Sequence, residues 1–169
     1  MSFVSVSTST YTRTHTAAFV SDKLRALLRR LVRDYGFNPE KLLNSWTDWV
    51  DEAARTWLVS GHLEKVVIEF YKPGSDYAEA RWDFPIAYDG DADDQDLWVD
   101  YAFFENSIAK GKRPPSGCTY RILLVPGYGA PNVPGLSTVQ LKSVTHLTAR
   151  TQGTVMSTPD IMASVRTYS

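Results

Sequence analysis

The sequence predicts an α+β fold in which three helices pack on a small antiparallel sheet and a C-terminal β segment follows. Three features predict it. Two early stretches repeat apolar residues at helical spacing; a hairpin of β-branched and aromatic residues comes next; and from Val125 onward the chain carries Pro, Gly, Thr and Val with no helical period. Each amphipathic helix has a broad apolar stripe that must leave water, so both cover a shared sheet or each other.

Residues 2–16 are dominated by Ser and Thr, with Phe3, Val4, Val6 and Tyr11 the large apolar side chains. That composition buries little and reads as a flexible arm over residues 1–14, with an edge strand as the alternative because Val4 and Val6 alternate. A Thr cap between Thr12 and Thr16 opens the first helix. Val20, Leu24, Leu27, Leu28, Leu31 and Tyr35 then fall within an arc of about 100°. Gly36 ends this helix, and Lys23, Arg25, Arg29, Arg30 and Arg33 occupy its other half. Asn38 as N-cap and Pro39 at the first helical position open the second helix. Leu42, Trp46, Trp49, Val50, Ala53 and Trp57 share its buried face, and Gly61 stops it.

The run 63–71 begins as an alternating strand and fills with Val66, Val67, Ile68 and Phe70. Pro73-Gly74-Ser75-Asp76 turns the chain, and 77–87 returns as the second arm of a hairpin. Pro85 has no N–H to give a ladder, which places the end of that strand at an edge or a bulge. After an acidic loop, a third helix is expected over 97–109 with Trp98, Tyr101, Ala102 and Ile108 facing inward. Residues 118–125 form a strand with the aliphatic centre Ile122-Leu123-Leu124-Val125. A Gly/Pro-rich stretch, a strand over 138–149, a turn at Gly153 and short extended pieces complete the chain. The organisation is an arm (1–14), a core (15–126) and a tail (127–169).

At 169 residues the chain is one domain with extensions, and its 43% hydrophobic and 22% charged residues are ordinary for a soluble globular protein. A net charge of −1 argues against general binding to nucleic acid or to a membrane surface, leaving room for a local patch. Cys118 is alone, so neither a disulfide framework nor a Cys-based zinc site is available. The first residues lack the charged and apolar regions of a secretory leader, and no aliphatic run could span a bilayer, so a cytoplasmic protein is expected.

The run Asp89-Gly-Asp-Ala-Asp-Asp-Gln-Asp has carboxylates at Asp89, Asp91 and Asp93, with Asp100 further on, as a calcium loop would. Asp94 stands where the sharp turn needs glycine, and Asp100 where a bidentate Glu belongs. A solvated loop whose carboxylates favour the start of the next helix is the better account. The alternative is a small-ligand or metal-binding enzyme with its site over Asp89–Asp100 and Trp98. His15, His62 and His146 have no metal-ligand spacing. There is no nucleophile elbow and no phosphate-binding glycine loop, so no catalytic residue, metal or cofactor is assigned. The basic half of the first helix reads as a solvated face; the functional alternative is a docking surface for an acidic protein or phosphate-rich ligand. The tryptophan stripe of the second helix reads as core.

From Tyr11-Thr-Arg-Thr-His15-Thr, through the amphipathic helix to Tyr35-Gly-Phe-Asn-Pro, the chain resembles bacterial HORMA domain proteins of CBASS anti-phage operons. The order of elements agrees over essentially the whole length, including the long β tail. The resemblance implies a peptide-binding adaptor, not an enzyme, that takes up a closure-motif peptide along a sheet edge and wraps its C-terminal safety belt around it. Tyr120, Ile122 and Leu124 would offer the edge, Trp98 and Tyr101 on the third helix the pocket wall, and Val139, Leu141 and Val144 the belt's side of the grip. It further implies that the closed form binds and activates a cGAS/DncV-like nucleotidyltransferase (CD-NTase). An AAA+ ATPase would engage the arm (Ser2, Phe3, Val4, Ser5 and Val6), unfold the first helix locally and release the belt. A strand held by on the order of ten backbone hydrogen bonds, each worth roughly 1 kcal/mol net, leaves slowly, which is why such a remodeller would be needed.

Overall fold

The computed structural model describes residues 2–88 and 97–169, with side chains from residue 13 onward. Helix α1 spans Ser2–Asp34. It therefore begins well before the expected cap, and the segment expected to be an arm continues it as helix. No Gly or Pro interrupts the chain before Gly36, so nothing local breaks the helix despite the modest propensity of Ser and Thr. Thr16, expected beside the cap, instead donates its hydroxyl to the Arg13 carbonyl one turn back, as mid-helix threonines do.

The predicted buried stripe is present: Val20, Leu24, Leu27, Leu28 and Leu31 are wholly enclosed. The predicted second helix is divided into α2 (Glu40–Ser45), a π-helical turn (Trp46–Val50) and α3 (Asp51–Ser60). The Asn38 side chain accepts the Glu40 N–H at 2.9 Å, supplying the expected cap. Both helix ends close as their glycines require. Gly36 and Gly61 take left-handed φ of 84° and 76°, and the residues after them donate back to Val32 and Trp57.

Strands β1 (Leu63–Tyr71), β2 (Ala80–Ala87), β3 (Trp98–Val99), β4 (Thr119–Pro126), β5 (Ala149–Ser157) and β6 (Met162–Tyr168) form one sheet in the order β3-β5-β6-β2-β1-β4. Every pairing in it is antiparallel. Four expectations need correction. Pro85 lies in an interior strand; pairing of β2 with β6 lapses at Phe84 and Pro85, so the missing donor costs the ladder little. Helix α4 spans Tyr101–Lys110, because Asp100 caps it by accepting the Phe103 N–H. That later start turns Phe104, Ser107 and Ile108 inward, while Trp98 joins strand β3 and, like Tyr101, is exposed. The expected strand over 138–149 is irregular apart from a bridge at Ser143, and the strand itself, β5, begins at Ala149. Gly153 is no turn: it sits inside β5 at a break in register, with φ of 131°, as the bulge that lets β5 and β6 stay paired. The turn between them lies instead at residues 158–161.

All helices cover one face of the sheet. Val66, Ile68 and Phe70 of β1, Trp82 and Phe84 of β2, and Tyr120 and Ile122 of β4 alternate onto that face and close a single core with α1, α3 and Phe104 of α4. The opposite face carries a charged lattice. The Arg81 guanidinium forks onto both oxygens of Asp83 at 2.8 and 2.9 Å, and Lys65 reaches the same carboxylate at 3.0 Å.

A β-strand edge enclosed by the tail

Strand β4 ends the sheet on one side, paired only with β1. The phase of its free edge follows from two bonds. The Phe70 carbonyl accepts the Glu79 N–H on the β2 side, so the backbone groups of Phe70 point away from Tyr120, its cross-strand neighbour on β4. The Tyr120 carbonyl correspondingly points outward, where the Lys41 ammonium meets it at 2.7 Å. Alternation then directs the N–H and C=O of Ile122 and Leu124 to the outside as well, the groups an added strand would need. The Tyr120 ring anchors this end: its hydroxyl donates to the Asn38 carbonyl at 2.8 Å and accepts the Leu42 N–H at 3.1 Å. Burial raises the pKa of that phenol above its ordinary value.

The segment 127–148 passes around that edge. Leaving β4, Gly127 donates to the His62 carbonyl, the Trp57 indole N–H binds the Pro131 carbonyl at 2.8 Å, and Val133 is buried in the helix-side core. Further on, the chain has reached the other face. Arg121 donates through one nitrogen to the Gln140 carbonyl and through another to Glu69, both at 2.6 Å. The second oxygen of Glu69 accepts the Lys142 backbone N–H at 2.6 Å, and Lys142 Nζ binds the Ser75 carbonyl at 2.6 Å over the Tyr71 ring. Ser143 bridges to Tyr77 in parallel before the chain enters β5. The tail thus starts on the helix face, rounds the outer edge of β4 and delivers the β5–β6 hairpin to the far side of β2.

Of the residues singled out from sequence, Tyr120, Ile122 and Leu124 lie on β4 with their side chains toward the helices. Val139 is exposed on the encircling segment, and Leu141 and Val144 are half-buried there. Trp98 and Tyr101 are not brought to this edge: β3 is the opposite edge of the sheet, and Tyr101 lies under Arg30 of α1. Asp89 to Asp96 lie outside the described residues, and Asp100 serves as the α4 cap. Among the described residues no group of three His, Cys, Asp or Glu could hold a metal ion, and no helix is long and apolar enough to cross a membrane. On the basic half of α1, Arg30 pairs with Glu105 and Arg25 with Asp22.

The latch residues Glu69, Arg121 and Lys142 and the edge cation Lys41 were not singled out from sequence. Glu69 did carry a signal: a carboxylate between Ile68 and Phe70, in a strand otherwise filled with apolar side chains, must find partners when it is buried.

The solved structures similar to this chain share its fold. A chain of a mitotic checkpoint complex matches with a TM-score of 0.73 at 11% identity, covering 90% of this chain and 97% of that one. C. elegans HTP-2 bound to a HIM-3 closure motif matches with a TM-score of 0.55 at 14% identity, covering 79% of this chain and 72% of that one. The E. coli MS115-1 CdnC:HORMA-deltaN complex matches with a TM-score of 0.52 at 17% identity, covering 94% of this chain and 87% of that one. No curated protein matches this chain. The family model described as Bacterial HORMA domain 2 matches residues 4–169. With that match over nearly its whole length, and with the sheet and encircling tail described above, the chain belongs to the bacterial HORMA domain family.

Proposed function

We propose that this protein is a peptide-capturing signalling adaptor that takes an extended closure-motif peptide as an added strand on β4 and holds it beneath the segment 127–148. The observation that carries this reading is the outer edge of β4: outward-facing backbone groups at Ile122 and Leu124, encircled by a tail latched at both ends. Pairing to these groups supplies affinity whatever the side chains, and Val139, Leu141 and Val144 on the tail add apolar grip. The C. elegans relative bound to a closure motif supports the same use of the fold.

The closed, loaded form is proposed to bind and activate a cGAS/DncV-like nucleotidyltransferase in anti-phage defence, a reading supported by the E. coli relative in complex with CdnC. An AAA+ ATPase is proposed to reset it by engaging Ser2 to Val6. The Arg13 side chain, which pairs with Asp160 in the β5–β6 turn, gives a pull on α1 a direct route to the hairpin.

Peptides selected from a phage-displayed library against the full chain test the central claim. Amide hydrogen exchange at Ile122 and Leu124 is expected to slow when a selected peptide is bound. Binding that leaves both amides unchanged would place the ligand elsewhere and end this reading. For reset, deletion of residues 2–12 is expected to preserve peptide binding while abolishing ATPase-driven release; release at the wild-type rate would dismiss the handle.

A further inference from the structure

We propose that the protein has a second strand-docking edge, on β5, which takes an acidic extended segment of a partner protein and seats one of its carboxylates between Lys110 and Arg150. This edge lies toward the other side of the sheet from β4, four strand spacings or roughly 19 Å away, and it does not depend on the peptide-capture reading.

For most of its length β5 is paired along one side only. Its outer neighbour β3 reaches Met156 and Ser157, and the Val155 carbonyl accepts the Asp100 N–H at 2.8 Å. Before those residues, nothing among the described residues pairs with that side. The first pair of the hairpin fixes the phase: Thr148 and Ser169 exchange both backbone hydrogen bonds, at 3.0 and 3.1 Å. Alternation therefore turns the N–H and C=O of Ala149 and Thr151 away from β6, while those of Arg150 face Thr167. Ala149, Arg150 and Thr151 are all exposed, and the bulge at Gly153 ends this regular stretch.

Beside the edge is a cavity of about 400 Å3, lined by Lys110 and Gly111 at the end of α4 and by Arg150, Gln152 and Thr167 of the hairpin, among others. Thr167 lies across from both Arg150 and the core residue Trp82, so Arg150 and Thr167 belong to the helix-side face.

The cavity has the chemistry of a carboxylate receptor. No Asp or Glu lines it. Arg13, Arg30, Lys65, Arg81 and Arg121 each hold a carboxylate within the chain, whereas Lys110 and Arg150 have no ion-pair partner among the described residues. These two cations reach one cavity from two separate elements. Thr167 in the same lining is only 5% exposed. Its Oγ1 accepts from Gln152 Nε2 at 3.3 Å, which leaves the hydroxyl hydrogen without an acceptor among the described residues. A charge placed only to keep other strands off an edge would stand alone; here α4 brings a second one, and a buried donor faces the same space. An Asp or Glu on a strand added at Ala149 and Thr151 would meet both cations and that hydroxyl. A second copy of this chain is the poorer occupant, because two β5 edges related by a two-fold axis would gather both copies' Lys110 and Arg150.

The test is selection of a random phage-displayed peptide library on the full chain, with clones that also bind the Lys110→Glu/Arg150→Glu variant removed. Both side chains are exposed, and circular dichroism checks that the variant folds. The remaining clones are expected to carry Asp or Glu within a strand-forming stretch. A synthetic peptide made from one should slow amide exchange at Ala149 and Thr151 and leave Ile122 and Leu124 unchanged. Its affinity should fall about tenfold in the double variant, the range of two exposed ion pairs. It should fall about fivefold in Ala149→Pro, which removes one outward N–H that β6 does not use. Selection that leaves no clones after subtraction, clones without acidic residues, or binding that leaves the Ala149 and Thr151 amides unchanged would overturn the inference. So would a dimeric full chain whose two amides are protected without peptide. None of these outcomes bears on capture at β4, which is read at Ile122 and Leu124.

Discussion

The carboxylate of Glu69, fully enclosed, accepts the backbone N–H of Lys142 at 2.6 Å and so ties the encircling tail to the sheet. Its other oxygen holds Arg121, whose guanidinium also binds the Gln140 carbonyl. One buried charge therefore fixes the tail at Gln140 and at Lys142 where it crosses the open face. Because the bonds go to backbone groups, the latch depends on where the tail lies and not on which side chains it carries there.

Replacing Glu69 with Gln keeps the shape and one acceptor but removes the charge that Arg121 needs. The expected loss is about 1–3 kcal/mol in denaturant unfolding, the range for disturbing a buried charge-assisted bond. Amide exchange over 138–146 should rise more than exchange in β1 or β2. Uniform change across the sheet would mean that Glu69 supports the fold generally and is no latch.

Gly153 adopts a φ of 131°, where a Cβ is strained, and a Cβ there would meet the Phe103 ring at 3.5 Å. The substitution Gly153→Ala should destabilise by about 1–3 kcal/mol through backbone strain. The bulge at β5 would be disturbed first, so near-ultraviolet and exchange signals from the β5–β6 hairpin should change while α1 stays protected. An unchanged melting temperature would contradict the bulge geometry.

Alkaline pH should weaken the fold through its buried phenols. Burial pushes the Tyr88 phenol up to about 12, opposed by its bond to Leu63 and by the Arg13 cation. Burial also raises Tyr35 and Tyr120. The unfolded chain releases these protons near pH 10 while the folded chain keeps them, so stability is fully present below about pH 10 and falls as pH rises toward 12. Tyr88→Phe should flatten that fall, at some cost at neutral pH because Tyr88 Oη accepts the Leu63 N–H and donates to the Leu63 carbonyl. Parallel pH profiles for the two proteins would refute the assignment.

Local chemistry alone was enough for much of the chain. The stripe from Val20 to Leu31, the Asn38 cap, the stops at Gly36 and Gly61, and the strands around Val67 and Ile122 follow from periods and turns that a few neighbouring residues set. Those signals also placed Tyr120, Ile122 and Leu124 on one strand. They failed where an isolated residue can be read two ways: Gly153 as turn or bulge, Pro85 as edge or lapse in pairing, Trp98 as helix or strand.

The order of the strands was decided only in three dimensions. That β4 ends the sheet, that β6 crosses to β2, and that the tail must therefore round the β4 edge all depend on pairings between residues far apart in the chain. A sequence window holds no record of which partner a strand will choose, because burial of both faces and the register across the sheet select it together. The same holds for Glu69, Arg121 and Lys41: their charges are legible in the sequence, but the groups that satisfy them arrive from distant segments. Periodicity determined the elements; long-range pairing and the cost of burying an unpaired charge determined the latched edge they enclose.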